Sequence, residues 1–153
     1  MGTRRVGRLQ WRGRGGATVA DYLIDASAFA RVLLGRTTAE WGDVIAAGLV
    51  ALCDIAELEV FCSACSAADR EHVRSRLNAR CIWCPIPDGI YRRARVVQEL
   101  FTAKGEHRSV GFVDLLVAAA AEESGLTLLH YDRGFESIAR AAGQPVCMVD
   151  LRN

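Results

Sequence analysis

Phe112–Val149 reads FVDLLVAAAAEESGLTLLHYDRGFESIARAAGQPVCMV. Phe112–Ser124 is an alanine-rich helix that Gly125 closes, and Leu126–Tyr131 (LTLLHY) is an unbroken apolar strand that stops at Asp132. Phe135–Ala142 repeats the helix, Gly143 ends it, and Pro145–Val149 starts another strand. Glycine ends helices because it alone takes the left-handed cap without strain. Short continuous apolar strands between longer helices predict βαβ units and a parallel sheet covered on both faces.

The same alternation extends towards the N-terminus. Val19–Asp25 (VADYLID) predicts a first strand ending on an acid, and Ser27 is the expected cap of a helix over Ala28–Leu34. A helix over Thr38–Ala47, a strand over Leu49–Asp54 and a helix over Ala56–Cys65 follow. Ala67–Ala79 reads as helix and Cys81–Ile86 as a short extended piece. Asp88–Ala103 reads as a helix whose opening acid suits the helix dipole. The fold class is α/β, a parallel sheet of four to five strands flanked by helices.

At 153 residues, 51% hydrophobic and 24% charged, the chain fits one globular domain, placed at 21–153. Residues 1–20 hold five arginines and no acid, and read as a basic, flexible extension. The remainder carries 14 basic against 18 acidic groups, so bulk charge does not point to nucleic acid. The longest uncharged apolar run, Val44–Cys53, is far shorter than the ~20 residues of a membrane span. Asp21 and Asp25 interrupt any signal-peptide core, so a cytoplasmic protein with reduced cysteines is expected.

In open α/β sheets the site lies outside the carboxyl ends of the strands. Asp25 ends the first strand and Asp132 the late one, Glu57 and Glu59 follow the second, and Asp114 opens the alanine-rich helix. Each alone reads as a cap or turn acid. Asp114 is the most telling, because its surroundings (GFVDLLVAAAA) offer a solvated charge no obvious face. Two carboxylates ~4 Å apart repel by about 4 kcal/mol at an effective dielectric near 20, so such a cluster must protonate or bind cations. An all-oxygen donor set favours Mg²⁺ or Mn²⁺, which can serve phosphate-ester hydrolysis.

Four stretches carry a resemblance: YLIDASAFARVL (Tyr22–Leu33), ELEVFCSA (Glu57–Ala64), HRSVGFVDLLVAAAAE (His107–Glu122) and LTLLHYDRGFESIA (Leu126–Ala139). In order, spacing and flanking residues they resemble the PIN-domain ribonucleases, and among them the VapC toxins of toxin–antitoxin modules. The resemblance implies a PIN-like fold and a metal-dependent endoribonuclease that cuts structured RNA of the tRNA or rRNA class. It further implies a homodimer inhibited by a cognate VapB-type antitoxin. Residue by residue it implies Asp25, Glu59, Asp114 and Asp132 as catalytic metal ligands, with Ser27 in support and Glu59 preferred to Glu57. The family often reads Asp-x-Asp-Phe at its fourth acid, whereas this chain reads Asp132-Arg133-Gly134-Phe135. One carboxylate is missing, which bears on a second ion.

A rival reading starts from Cys62-x2-Cys65 and Cys81-x2-Cys84, whose spacing matches a four-cysteine zinc site. It would make the chain a zinc-binding, non-enzymatic interaction module. The cysteines lack a glycine-rich knuckle, and a domain of this size needs no zinc to fold, so buried thiols are the preferred reading. A phosphotransfer domain also places strand-end acids on a parallel sheet, but such sites typically add a strand-end lysine, and Lys104 is the only lysine. His130 alternates with buried strand positions and is expected to be structural.

Overall fold

The structure is a computed structural model that describes residues 11–13, 16–18 and 20–152. The reading of 1–20 as an extension falls largely outside them. Within that stretch β1 (Trp11–Gly13) and β2 (Gly16–Thr18) pair antiparallel. The domain then runs β3 (Tyr22–Ile24), α1 (Ala26–Leu33), α2 (Ala39–Ala46), β4 (Val50–Cys53), α3 (Asp54–Cys62), α4 (Ala67–Arg80), β5 (Ile82–Cys84) and α5 (Ile90–Ala103). It ends with α6 (Phe112–Glu123), β6 (Thr127–His130), α7 (Arg133–Ala142) and β7 (Val146–Met148). Among the described residues no helix is long and apolar enough to cross a membrane.

Five strands form one parallel sheet in the order β5-β4-β3-β6-β7. The chain starts at the centre, builds outwards through β4 and β5, and then returns to the other side of β3 with β6. The order therefore reverses between β3 and β6, where open α/β sheets leave a crevice for ligands. The central strands are buried on both faces: Leu23, Ile24, Leu128 and Leu129 have no exposed surface. Phe29 of α1 and Phe135 of α7 fill the core beside them. Truncating any of these leucines to alanine removes transfer energy and leaves a cavity, together about 2–5 kcal/mol.

The alanine run explains how α6 reaches the interior. Val117 and Ala118–Ala121 are all buried, so this helix is covered nearly all round, by α3, α5, α7 and β6. Side chains of minimal volume let these neighbours approach together, and that close seat fixes where Asp114 emerges. Gly143 caps α7 at φ 75°, the left-handed conformation its position requires.

Two helix starts differ from the sequence-based expectation. Ser27 does not cap α1: Asp25 does, accepting the N–H groups of Ser27 (3.2 Å) and Ala28 (2.9 Å). A carboxylate at this position satisfies two orphan donors and adds a favourable charge–dipole term. Asp88 does not enter α5, which starts at Ile90 after Gly89, with the Ile90 N–H donating to the Pro87 carbonyl. An acid still stands at that helix start, but from another element. A Cβ at Gly89 would lie 2.7 Å from the Glu123 carboxylate, so Glu123 occupies the space a side chain would need.

Candidate active site

Asp25 sits where β3 becomes α1 and is only 3% exposed. Its two N–H donors are joined by the Ser27 hydroxyl, 2.7 Å from Oδ2 and 2.9 Å from Oδ1. The same hydroxyl oxygen accepts the Tyr131 N–H at 2.9 Å, so Ser27 ties the end of β3 to the end of β6. Burial raises the Asp25 carboxyl above its ordinary range; the hydrogen bonds from Ala28 and Ser27 and the nearby His130 ring oppose that rise.

Asp132 caps α7 and accepts the Gly134 N–H at 2.8 Å. Its own N–H donates to Nδ1 of His130 at 3.2 Å, and the His130 ring tilts against Phe135 at a centroid distance of 5.5 Å. His130 is fully buried, and burial pulls its pKa below the ordinary value. It is therefore a neutral ring that holds the turn, the structural role its sequence position suggests.

Asp114 projects from the first turn of α6, half-buried, and its carboxyl is pushed up to about 6, first by burial and then by the charges of Asp132 and Asp25. Glu59, on the second turn of α3, is raised by burial and by the charges of Asp114, Asp25 and Asp132. Glu59 and Asp114 thus both feel the charges of Asp25 and Asp132, although the four acids come from four separate elements. Glu57 is elsewhere: with Asp54, Cys81 and Trp83 it lines a separate cavity of about 60 Å³. Their spacing along α3 separates the two glutamates, as residues two apart point to different sides of a helix.

Position 134 lies over the cluster. A Cβ there would be 3.3 Å from Asp132 Oδ1 and 3.8 Å from Asp114 Oδ2. Gly134 is inside α7 and is not among the glycines with positive φ. Among the described residues no three Asp, Glu, His or Cys side chains are already closed into a metal-ligand set. The donors nevertheless fit a hard divalent cation: all are carboxylate oxygens, and their repulsion is the kind that a cation relieves.

The cysteine pattern does not assemble. Cys62 and Cys65 are exposed at and beyond the end of α3, Cys81 is half-buried, and Cys84 is buried in β5 beside the Ser124 hydroxyl at 3.5 Å. All four are free thiols and form no metal-binding group among the described residues. His72 and His107 are exposed. What reading along the chain missed is the second partner of Ser27, since a bond to a residue 104 positions away leaves no local signal.

Comparison with known proteins follows this geometry. Residues 22–141 match the PIN domain family. The chain is 38% identical over 125 residues to Ribonuclease VapC21 of Mycobacterium tuberculosis strain H37Rv, covering 82% of this chain and 91% of that one. It is 40% identical over 125 residues to Ribonuclease VapC2 of M. tuberculosis strain CDC 1551, covering 80% and 88%. In fold it is similar to VapBC2 from Rickettsia felis bound to a promoter DNA fragment, with a TM-score of 0.68 at 15% identity, covering 84% of this chain and 98% of that chain.

Proposed function

The chain belongs to the PIN-domain family, among its VapC members, and from that premise we propose that it is a metal-dependent endoribonuclease, the toxin of a toxin–antitoxin module. Its substrate is structured RNA of the tRNA or rRNA class, and its inhibitor is a cognate VapB-type antitoxin. The observation that carries this reading is that Glu59 and Asp114, from separate helices, are both raised by the charges of Asp25 and Asp132 at the sheet's switch point. A zinc module would need the cysteines together, and they are apart.

In this mechanism Asp25, Glu59, Asp114 and Asp132 would hold Mg²⁺, with Mn²⁺ as the alternative. When bound, such an ion lowers the pKa of water and offsets the charge of the scissile phosphate. The protein's own contribution is orientation. Ser27 and the α1 N–H groups fix the rotamer of Asp25, and their hydrogen bonds oppose the rise that burial imposes on its carboxyl. His130 Nδ1 holds the Asp132 N–H, and the Gly134 N–H holds its carboxylate. Asp114 sits in the turn that α6 holds rigid. The oxygen of water attacks phosphorus as that water gives a proton to solvent, the P–O bond to the leaving nucleotide breaks, and the leaving oxygen takes a proton from solvent.

The protein acts in the cytoplasm as a homodimer on this reading. A groove of about 380 Å³ between α5 and α6, lined by Tyr91, Arg95, Phe112, Leu115 and Leu116, supports dimerisation. Phe112 is 73% exposed there and Tyr91 59%, more apolar surface than a lone subunit gains from showing to water. The test of the activity is cleavage of structured RNA with EDTA present, then with Mg²⁺ or Mn²⁺ restored. Cleavage should stop and return; cleavage indifferent to the chelator would sink the mechanism.

A further inference from the structure

Ser27 and Arg31 stand four residues apart on α1 and so share one face of that helix, Arg31 one turn further from Asp25. The Arg31 guanidinium lies 4.5 Å from the centroid of the Tyr131 ring. Tyr131 is the residue between His130 and Asp132, and its N–H is the one held by Ser27. The two side chains are therefore built onto the same bonds that orient Asp25 and Asp132. Both are half-buried.

We propose that Arg31, stacked on Tyr131, binds a backbone phosphate of the RNA next to the one that is cut. This rests on the nuclease reading and assigns a substrate contact within it. The charge balance demands such a group. Four carboxylates repel an incoming polyanion, and an ion among them offsets the charge at the scissile phosphate only. Arg31 is poised for the neighbouring one. Among the described residues it has no carboxylate within 4.0 Å and no hydrogen bond from its guanidinium, so its N–H fork is unspent. The contact with the ring face uses none of the guanidinium N–H groups in a hydrogen bond, and such a fork can match phosphate oxygens two at a time.

A competing role is purely structural: Arg31 is the basic residue in the last turn of α1 and complements its dipole. That role moves stability but leaves RNA affinity unchanged. The experiment uses the full chain in an Asp114→Asn background that does not cut, with a fluorescein-labelled RNA stem–loop followed by anisotropy across a KCl series. Arg31→Ala should weaken binding about tenfold and reduce the slope of log Kd against log[KCl] by about 1. Arg31→Lys should restore the slope, and Tyr131→Leu should weaken binding about threefold with the slope unchanged. In the cutting protein, Arg31→Ala should raise KM and leave kcat within twofold. Wild-type affinity and slope in Arg31→Ala overturn the proposal. If that variant does not fold, Arg31→Gln takes its place in the same measurement. A chain that binds RNA through Arg31 yet never cuts it refutes the nuclease reading and leaves the Arg31 phosphate contact standing.

Discussion

Asp114 and Asp132 share the space over Gly134: a Cβ at that position would meet Asp132 Oδ1 at 3.3 Å and Asp114 Oδ2 at 3.8 Å. A side chain at 134 therefore points into the acid cluster, which is where many relatives of this fold type carry a further acid on the reading above. Because Gly134 does not have a positive φ, a substitution there meets no left-handed strain. Gly134→Asp should lower the Mg²⁺ concentration for half-maximal cleavage severalfold, with saturated cleavage little changed. In EDTA its melting temperature should fall, as Asp132 must give by a few tenths of an ångström and a like charge is added. Metal titrations beside melting curves check both, and an unchanged metal requirement in a folded variant places position 134 outside the metal shell.

The Asp114 carboxyl, raised to about 6, predicts a pH dependence for the metal-free protein. Between its ordinary value near 4 and about 6 the folded state holds a proton that the unfolded state has released. The stability this group contributes is therefore present at low pH and lost as pH rises through about 6. Asp114→Asn removes the loss, so its melting temperature in EDTA should gain on wild type from pH 4 to pH 7. The gap should close when Mg²⁺ is added to wild type. A constant gap across that range is the contrary result.

Glu59→Gln should reduce cleavage by at least tenfold, because Glu59 feels the charges of Asp114, Asp25 and Asp132. Glu57→Gln should stay within twofold of wild type, as that side chain lines the cavity beside Trp83. Initial rates at saturating Mg²⁺ decide it, and the reverse order would move the ligand by two residues.

Ser27→Ala removes a hydroxyl that donates to Asp25 and accepts from Tyr131. The Tyr131 N–H then loses its partner in a half-buried place, at a cost of about 1–3 kcal/mol in urea unfolding. Cleavage should fall as well, because the Asp25 rotamer loses one of its three donors. Ser27→Thr, which keeps the hydroxyl, should recover most of both.

Cys62→Ser with Cys65→Ser should remain folded and metal-responsive, and the wild-type protein should hold well under one zinc per chain by elemental analysis. Stoichiometric zinc lost with these two thiols would restore the interaction-module reading.

Much of this was legible along the chain because the decisive signals are local. VADYLID and LTLLHY are apolar runs that stop at an acid, and both became central strands with that acid at the sheet's open edge. Asp114 stood out against the alanines that let α6 into the core. What failed was whatever depended on a partner elsewhere. Ser27 looked like the cap of α1 because hydroxyls cap helices, but Asp25 took the N–H groups and Tyr131 took the hydroxyl. Asp88 looked like the acid of α5, yet Glu123 fills that space from α6. The Cys-x2-Cys pairs had metal-like spacing, and only the packing of β5 against β4 shows Cys84 turned into the core.

The position of β3 at the centre of the sheet has a consequence in time. Asp25 is made early, but its strand needs β6 as a neighbour, and its hydroxyl brace needs the Tyr131 N–H. The 107 residues from Asp25 to Asp132 take on the order of 5–20 s to synthesise at typical rates. Throughout that interval the nascent chain carries an aspartate but no assembled site, so the ribosome making it is not exposed to a finished nuclease. The acid cluster is therefore a property of the paired β3 and β6 strands and not of either segment alone.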